Sequence, residues 1–343
     1  MSSWLALDIG GANLKAADGM GFALSRPFAL WRRNRELPGA IAKLLAESPP
    51  AERLAVTMTG ELADCFTTKA EGVAAILDAV QAAAASRRID VYLTDGSWAS
   101  PANAIANPLL AAASNWHALA RFSARFLPEG PGLLIDIGST TCDVVPLRDG
   151  RVVARGRTDP ERLAQGELVY TGVQRSPICG VVNRLDWPSR QMTCAVAQEL
   201  FATTWDAYLL LGDLPEEPDS THTADGRPAT KDHAHDRLAR MICADRTMVD
   251  RAEALEMARQ VAEAQCQQVA AALQMVLASL AARPSGVVIS GIGEFLARRA
   301  LERTRVDSPV ISLSQILGSQ VSRAATAHAL AVLARESDDG KMA

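Results

Sequence analysis

Residues 5–15 read Leu5-Ala6-Leu7-Asp8-Ile9-Gly10-Gly11-Ala12-Asn13-Leu14-Lys15, and residues 133–143 read Leu133-Leu134-Ile135-Asp136-Ile137-Gly138-Ser139-Thr140-Thr141-Cys142-Asp143. Each is an apolar run ending in Asp-Ile-Gly, followed by small polar residues and a second apolar stretch. Apolar runs separated by Gly and small hydroxyl residues predict two strands joined by a tight turn. Asp136 follows Asp8 by 128 residues, about one domain length, so the chain carries an internal repeat.

The surroundings of each copy repeat as well. After the first hairpin, the pattern predicts a third strand at 22–30, helix 37–47, strand 54–57, helix 69–86, strand 91–94 and helical segments over 103–126. After the second come a strand at 151–154, a long helix near 251–282, strand 287–290, helix 294–303, strand 310–313 and helix 320–335. Both halves read βββαβαβα, which predicts an α/β, two-lobed duplicated fold. The long helix is the firmest local element. Leu255, Ala258, Ala262, Cys266, Val269, Leu273, Val276 and Leu280 recur at steps of three and four, an apolar stripe at helical period. The expected division is 1–130 for the first lobe, 131–155 with 251–336 for the second, and 337–343 for a flexible tail. Residues 156–250 interrupt the second copy as an inserted, substrate-facing region. Within it, 215–236 is rich in Pro, Asp, Thr and Gly and reads as a polar loop of the kind that serves as a lid.

Composition narrows the function classes. Of 343 residues, 48% are apolar and 22% charged, ordinary for a globular chain. Thirty-five basic against 39 acidic residues give a net charge of −4, so no bulk basic field exists to hold nucleic acid or an anionic membrane. Asp8 comes too early for a signal peptide, and a cytoplasmic protein is expected. Six scattered cysteines without a CxxC pair predict reduced, mostly buried thiols. A homodimer is compatible with the sequence, which leaves the oligomeric state open.

The two turns suggest chemistry. Gly10, Gly11, Asn13, Gly138, Ser139, Thr140 and Thr141 let backbone N–H groups and hydroxyls converge, forming a nest for phosphate oxygens. Asp8 and Asp136 stand where the chain leaves each sheet. Beside phosphate, a carboxylate repels unless a hard cation lies between them, and Mg²⁺ takes one or two carboxylates plus phosphate oxygens in this way. A third element, Ser290-Gly291-Ile292-Gly293-Glu294, reads as strand end, glycine turn and helix start, favourable for an anion.

This plan resembles the superfamily of acetate and sugar kinases, Hsp70 and actin. The phrase Asp136-Ile137-Gly138-Ser139-Thr140-Thr141-Cys142-Asp143 looks like its hydantoinase/oxoprolinase branch. Four further phrases, at 58–66, 113–116, 166–173 and 225–228, resemble proteins linked to tetrahydromethanopterin one-carbon transfer. These are similar to the (aminomethyl)furan–tyramine condensing enzymes of methanofuran biosynthesis. The resemblance implies that Asp8 and Asp136 serve metal and phosphate, and that Ser290, Gly291, Gly293 and Glu294 border a nucleotide or ligand. It implies a transferase in which a furanmethyl diphosphate loses pyrophosphate to a tyramine- or tyrosine-derived phenol. ATP binding is possible in this plan but not required.

Lys15 and Asp143 each lie seven residues beyond their hairpin's aspartate. Lys15 is expected on the diphosphate. Asp143 is the first candidate for a base, since a phenol of pKa about 10 needs help to lose its proton. Glu61 follows a strand and Gly60, and reads either as a cleft carboxylate or as a helix cap. Thr171, Arg175 and Lys231 could grip an acidic acceptor tail. Asp232, His233, His235 and Asp236 read as a solvated lid edge rather than metal ligands. Two alternatives stand beside the transferase: an ATP-dependent kinase or amide hydrolase, and a ligand-binding protein without turnover.

Overall fold

The computed structural model describes residues 3–339. The first half builds a six-stranded sheet ordered β3-β2-β1-β4-β5-β6. Its strands are β1 (Trp4–Ile9), β2 (Asn13–Ala17), β3 (Ala23–Pro27), β4 (Arg53–Met58), β5 (Arg88–Tyr92) and β6 (Trp98–Ala99). Its helices are α1 (Leu30–Arg33), α2 (Leu37–Ala46), α3 (Lys69–Ala84), α4 (Pro101–Ala106), α5 (Pro108–Ala111) and α6 (Asn115–Ala124). The second half repeats the sheet as β10-β8-β7-β13-β14, with β9 on the β8 edge. These strands are β7 (Pro131–Ile137), β8 (Cys142–Arg148), β9 (Arg151–Val152), β10 (Leu168–Val169), β13 (Gly286–Ser290) and β14 (Val310–Ser312). In both sheets the hairpin is antiparallel and the next strand lies parallel to the first, β4 on β1 and β13 on β7. The duplicated two-lobed fold is therefore present.

The third strand of the second copy differs from expectation. It is only two residues long, and β10 from the insertion completes the edge by pairing Leu168 with Asp143 and Val169 with Cys142. Between them runs α7 (Asp159–Gln165), which opens with Pro160 and a Thr158–Glu161 capping box and closes on Gly166 in the left-handed conformation. The insertion thus belongs to the second sheet rather than standing apart from it. Its remaining elements are α8 (Ile178–Val181), the hairpin β11 (Arg184–Trp187) and β12 (Met192–Ala195), α9 (Thr204–Leu211) and α10 (Lys231–Arg240).

The polar loop expected over 215–236 ends at Thr230, which caps α10. There His235 is buried and donates to the Val249 carbonyl at 2.7 Å, and Asp236 accepts from Arg227 and Arg246. His235 and Asp236 therefore belong to a packed helix rather than a solvated lid edge, while Asp232 is exposed as expected. Asp225 ties them down, pairing with Arg227, Arg237 and Arg240, while buried Arg237 also meets buried Asp206.

The long helix α11 (Arg251–Ser279) begins with an Asp250–Glu253 capping box and buries Ala258, Ala262, Cys266, Val269, Leu273 and Val276 as its period predicts. It is followed by α12 (Glu294–Arg303), α13 (Leu313–Ser322) and α14 (Ala325–Asp338). The last helix of each half crosses over. Trp116, Leu119 and Phe122 of α6 pack with Leu134, Val145 and Val288 of the second sheet. Leu330, Ala331 and Leu333 of α14 pack with Trp4, Ala6 and Ala55 of the first. Residues 337–338, expected in a flexible tail, are the end of α14: Trp98 donates to Ser337 and Trp4 to Asp338, which also pairs with Arg53. The rest of that tail, 340–343, lies outside the described residues. Of the six thiols only Cys142 and Cys266 are buried, which corrects the expectation of mostly buried cysteines; all six are free. Among the described residues, no helix is long and apolar enough to cross a membrane.

Candidate active site

The two turns close by the same bond. The Gly10 amide donates to Asn13 O at 3.0 Å, and the Gly138 amide to Thr141 O at 2.9 Å. Asp8 stands directly across its hairpin from Lys15, and Asp136 directly across from Asp143, which explains the shared spacing of seven. The copies then diverge. In the first, Lys15 Nζ lies 3.4 Å from Asp8 Oδ2. In the second, two carboxylates face each other, an arrangement that is destabilising unless compensated.

Buried Arg162 supplies the compensation. Its Nη2 donates to Asp143 at 2.7 Å and to the Glu167 carbonyl at 2.9 Å, while its guanidinium stacks 3.9 Å over the Trp116 ring. Burial still pushes the Asp143 carboxyl up, opposed by Arg162. Asp136 is pushed up to about 6, first by burial, then by Asp143, with Asp8 adding and Lys15 opposing. The Ser290 hydroxyl favours its ionised form without reaching hydrogen-bond distance. Asp136 therefore feels both members of the first hairpin, and Trp31, beside the first turn, meets Arg175, beside the second, at 4.6 Å, so the two turns border one cleft. Asp8 is almost fully buried; its Oδ2 also accepts from Thr326 of α14, and its Oδ1 has no hydrogen-bond partner.

The glycine turn abuts the second hairpin. Ser290 pairs in register with Asp136, and the Gly293 amide donates to Ile137 O at 2.9 Å. Gly291 has φ +88°, and a Cβ there would lie 2.2 Å from Ile137 O and 2.9 Å from Asp136 Oδ1. Glu294 accepts from Ser312, Ser314 and the Ser314 amide, fastening α12 to the following strand. Beside this turn a hollow of about 260 Å³ is lined by Gly291, Glu294, Phe295 and Arg323. That is smaller than most ligand pockets. A larger hollow of about 570 Å³ lies behind the first hairpin, between β3 and α2, away from the cleft carboxylates.

A strap from the insertion holds the second turn. The Val173 amide donates to Gly138 O, and those of Gln174 and Arg175 to Ser139 O. Gly172 permits this approach, since a Cβ would stand 2.4 Å from Ser139 C and Thr140 N. Thr171 is buried, with its hydroxyl against Ser176 and the Gln265 amide, so it serves the strap rather than facing a ligand. Lys231 opens α10, and its amide donates to Glu216, within the insertion and apart from the hairpins. Of the three, Arg175 has its amide on the second turn and its guanidinium over Trp31.

Glu61 is buried beyond the end of β4, with Oε2 unpartnered. It is not a helix cap, because Thr68 caps α3. Burial pushes its carboxyl up to about 7, although Lys69 Nζ stands 3.8 Å away. Lys69 is also held at 2.5 Å by Asp159 of the insertion, so it bridges the two carboxylates. Among the described residues, no three His, Cys, Asp or Glu side chains are grouped to hold a metal ion.

Sequence reasoning missed Arg162, Thr326, Trp31 and Gln265. None carried a local signal: Thr326 and Gln265 lie on long helices, Trp31 and Arg162 on short ones of four and seven residues, and their contacts come from distant segments.

Comparison with known proteins agrees with this architecture. The chain is 32% identical over 338 residues, 98% of each protein, to the (4-{4-[2-(gamma-L-glutamylamino)ethyl]phenoxymethyl}furan-2-yl)methanamine synthase of Methanocaldococcus jannaschii. It is 28% identical over 212 residues to the synthase of the same name from Methanococcus vannielii, covering 61% of this chain and 93% of that one. Among solved structures, the PilM-PilN type IV pilus biogenesis complex aligns over 96% of this chain and 98% of that one, at 14% identity and TM-score 0.50, a likeness of fold alone. Residues 52–335 match the hydantoinase/oxoprolinase family, and with that span and its full-length relative the chain belongs to this family.

Proposed function

We propose that this protein is a transferase of furan-cofactor biosynthesis that joins an (aminomethyl)furanmethyl diphosphate to the phenol of a tyramine- or tyrosine-derived acceptor, releasing pyrophosphate. The observation that carries this reading is the pairing of both Asp-Ile-Gly turns on one cleft, in a chain similar end to end to a synthase whose named product contains a phenoxymethylfuran ether.

In this reaction the bond between the furanmethyl carbon and the diphosphate oxygen breaks, and a bond from that carbon to the phenol oxygen forms. The phenol's proton passes to a base, and the leaving diphosphate gathers charge. Catalysis is then mainly electrostatic, from donors placed where that charge develops. The Gly10–Asn13 and Gly138–Thr141 turns would cradle the diphosphate, with Lys15 as a point charge on it. Asp143 is the assigned base. It is partly open, its Oδ1 is held by Arg162, and burial raises its carboxyl's affinity for a proton.

Mg²⁺ fits the same residues. Asp8 Oδ1 is buried without a partner and Asp136 is crowded by like charge, two conditions that a divalent cation relieves. Asp8 and Asp136 would hold it, with waters and phosphate oxygens completing its shell. Bound there, Mg²⁺ supplies charge neutralisation for the leaving group. An ATP-dependent kinase or amide hydrolase is the second reading, and the small hollow beside the glycine turn disfavours it.

The test is to incubate the purified protein with Mg²⁺ and either the furanmethyl diphosphate or ATP, with and without a phenolic acceptor, and to identify the phosphate released. Pyrophosphate released only with both furan and phenol supports the transferase. Acceptor-dependent ADP would overturn it, and binding without turnover would leave a ligand-binding protein.

A further inference from the structure

Arg175 and Trp31 meet across the mouth of the cleft. The Arg175 guanidinium lies 4.6 Å over the Trp31 ring. The two come from opposite halves of the site, and each is fixed to its own phosphate turn. Leu30, next to Trp31, donates its amide to Gly11 O at 3.0 Å, and Arg175 donates its own amide to Ser139 O at 2.9 Å. A cation–π contact engages a face of the guanidinium and does not use up its N–H donors. Arg175 is exposed as a residue, but partial burial of its guanidinium lowers its pKa, opposed by Tyr170 on the surface. Other guanidiniums at the site are committed, Arg162 to Asp143 for example. Among the described residues no carboxylate pairs with Arg175, and an arginine anchored on Trp31 beside the second turn can receive one.

We infer that Arg175, oriented by Trp31, is the specificity site for the acceptor's carboxylate end, so that the enzyme selects a carboxylate-bearing phenol such as a γ-glutamyl-tyramine over the bare amine. The inference rests on the proposed transferase reading and adds to it the residues that choose the acceptor. It also adds a consequence for order. Because the pair spans both lobes, the acceptor tail is gripped only when the two turns are brought together.

The experiment measures equilibrium binding, so it does not depend on turnover. Wild type, Arg175→Ala, Arg175→Lys and Trp31→Ala are each titrated with γ-glutamyltyramine, tyramine and Mg²⁺-pyrophosphate. Wild type is expected to bind the glutamyl phenol roughly 10- to 100-fold more tightly than tyramine, the range for one charged hydrogen-bonded contact. Arg175→Ala should erase that ratio, and Arg175→Lys and Trp31→Ala should reduce it, all with pyrophosphate affinity intact as the control for a folded cleft. If the variants keep the wild-type preference, the carboxylate site falls while the transferase reading stands. If wild type takes up pyrophosphate but neither phenol, both fall together.

Discussion

Replacing Glu61 with Gln tests the electrostatics of the site in a single substitution. Glu61 is buried, and its carboxyl is displaced from the ordinary 4.5 to about 7, chiefly by burial, with Lys69 pulling the other way. A carboxyl raised in the folded state holds a proton there that the unfolded chain has already lost. Below pH 4.5 both states are protonated and the group costs nothing. Between pH 4.5 and 7 the wild type loses stability as pH rises, and above 7 the full cost is present. A displacement of about 2.5 pH units corresponds to about 3 kcal/mol at 1.36 kcal/mol per unit. Gln keeps the shape and carries no charge at any pH, so the stability difference between variant and wild type should grow by about that amount from pH 4 to 8. In thermal unfolding this is a Tm gap widening by roughly 5 °C for a chain of this size. The quantity to read is the change in the gap, because the amide's own hydrogen bonding sets its starting value. A gap that stays constant or narrows over that range would refute a buried, unfavourably charged Glu61.

Three further outcomes follow from the geometry. Gly172→Ala drives a methyl into the Ser139–Thr140 backbone and should cost about 3 kcal/mol in denaturant unfolding and weaken pyrophosphate binding, whereas Gly180→Ala, where a Cβ meets nothing within 4 Å, should do neither. Arg162→Met removes the cation from Asp143 and should destabilise by about 3–5 kcal/mol, visible as a lowered urea midpoint. Asp136→Asn should abolish turnover while stabilising the ligand-free protein above pH 6, because the raised carboxyl's cost is present above that pH and absent below its ordinary value of 3.8; calorimetry at pH 4 and pH 8 separates the two regimes.

Much of the fold was legible because it rests on local signals. The Asp-Ile-Gly hairpins, the period of α11 and the strand–glycine–helix run at 290–294 each dictate their own geometry from neighbouring residues. The spacing that links Lys15 to Asp8 and Asp143 to Asp136 is hairpin register, so equivalence in sequence became apposition in space. What was illegible depends on contacts between distant segments. Nothing near Leu168 marks it as the strand that finishes the edge left by β9. Nothing in α14 announces that Thr326 will meet Asp8. The insertion misled by composition, since Asp225 and Asp236 read as solvent-facing, yet each is drawn in by arginines once 225–246 folds, whereas Asp232 does face solvent. The quoted phrases that signalled the subfamily lie at joints: Trp116 under Arg162, Glu167 against the Arg155 and Gly156 amides, Gly172 on the turn, and Asp225 among three arginines.

The central claim is that the two hairpins grip one diphosphate between them. Its most direct measurement is a double-mutant cycle on Mg²⁺-dependent pyrophosphate binding by calorimetry, using Asp8→Asn, Asp136→Asn and the pair. If both aspartates serve one shared ligand, either single change should remove most of the affinity and the double should cost little more. Additive losses, or full binding with one hairpin disabled, would show that the turns work separately.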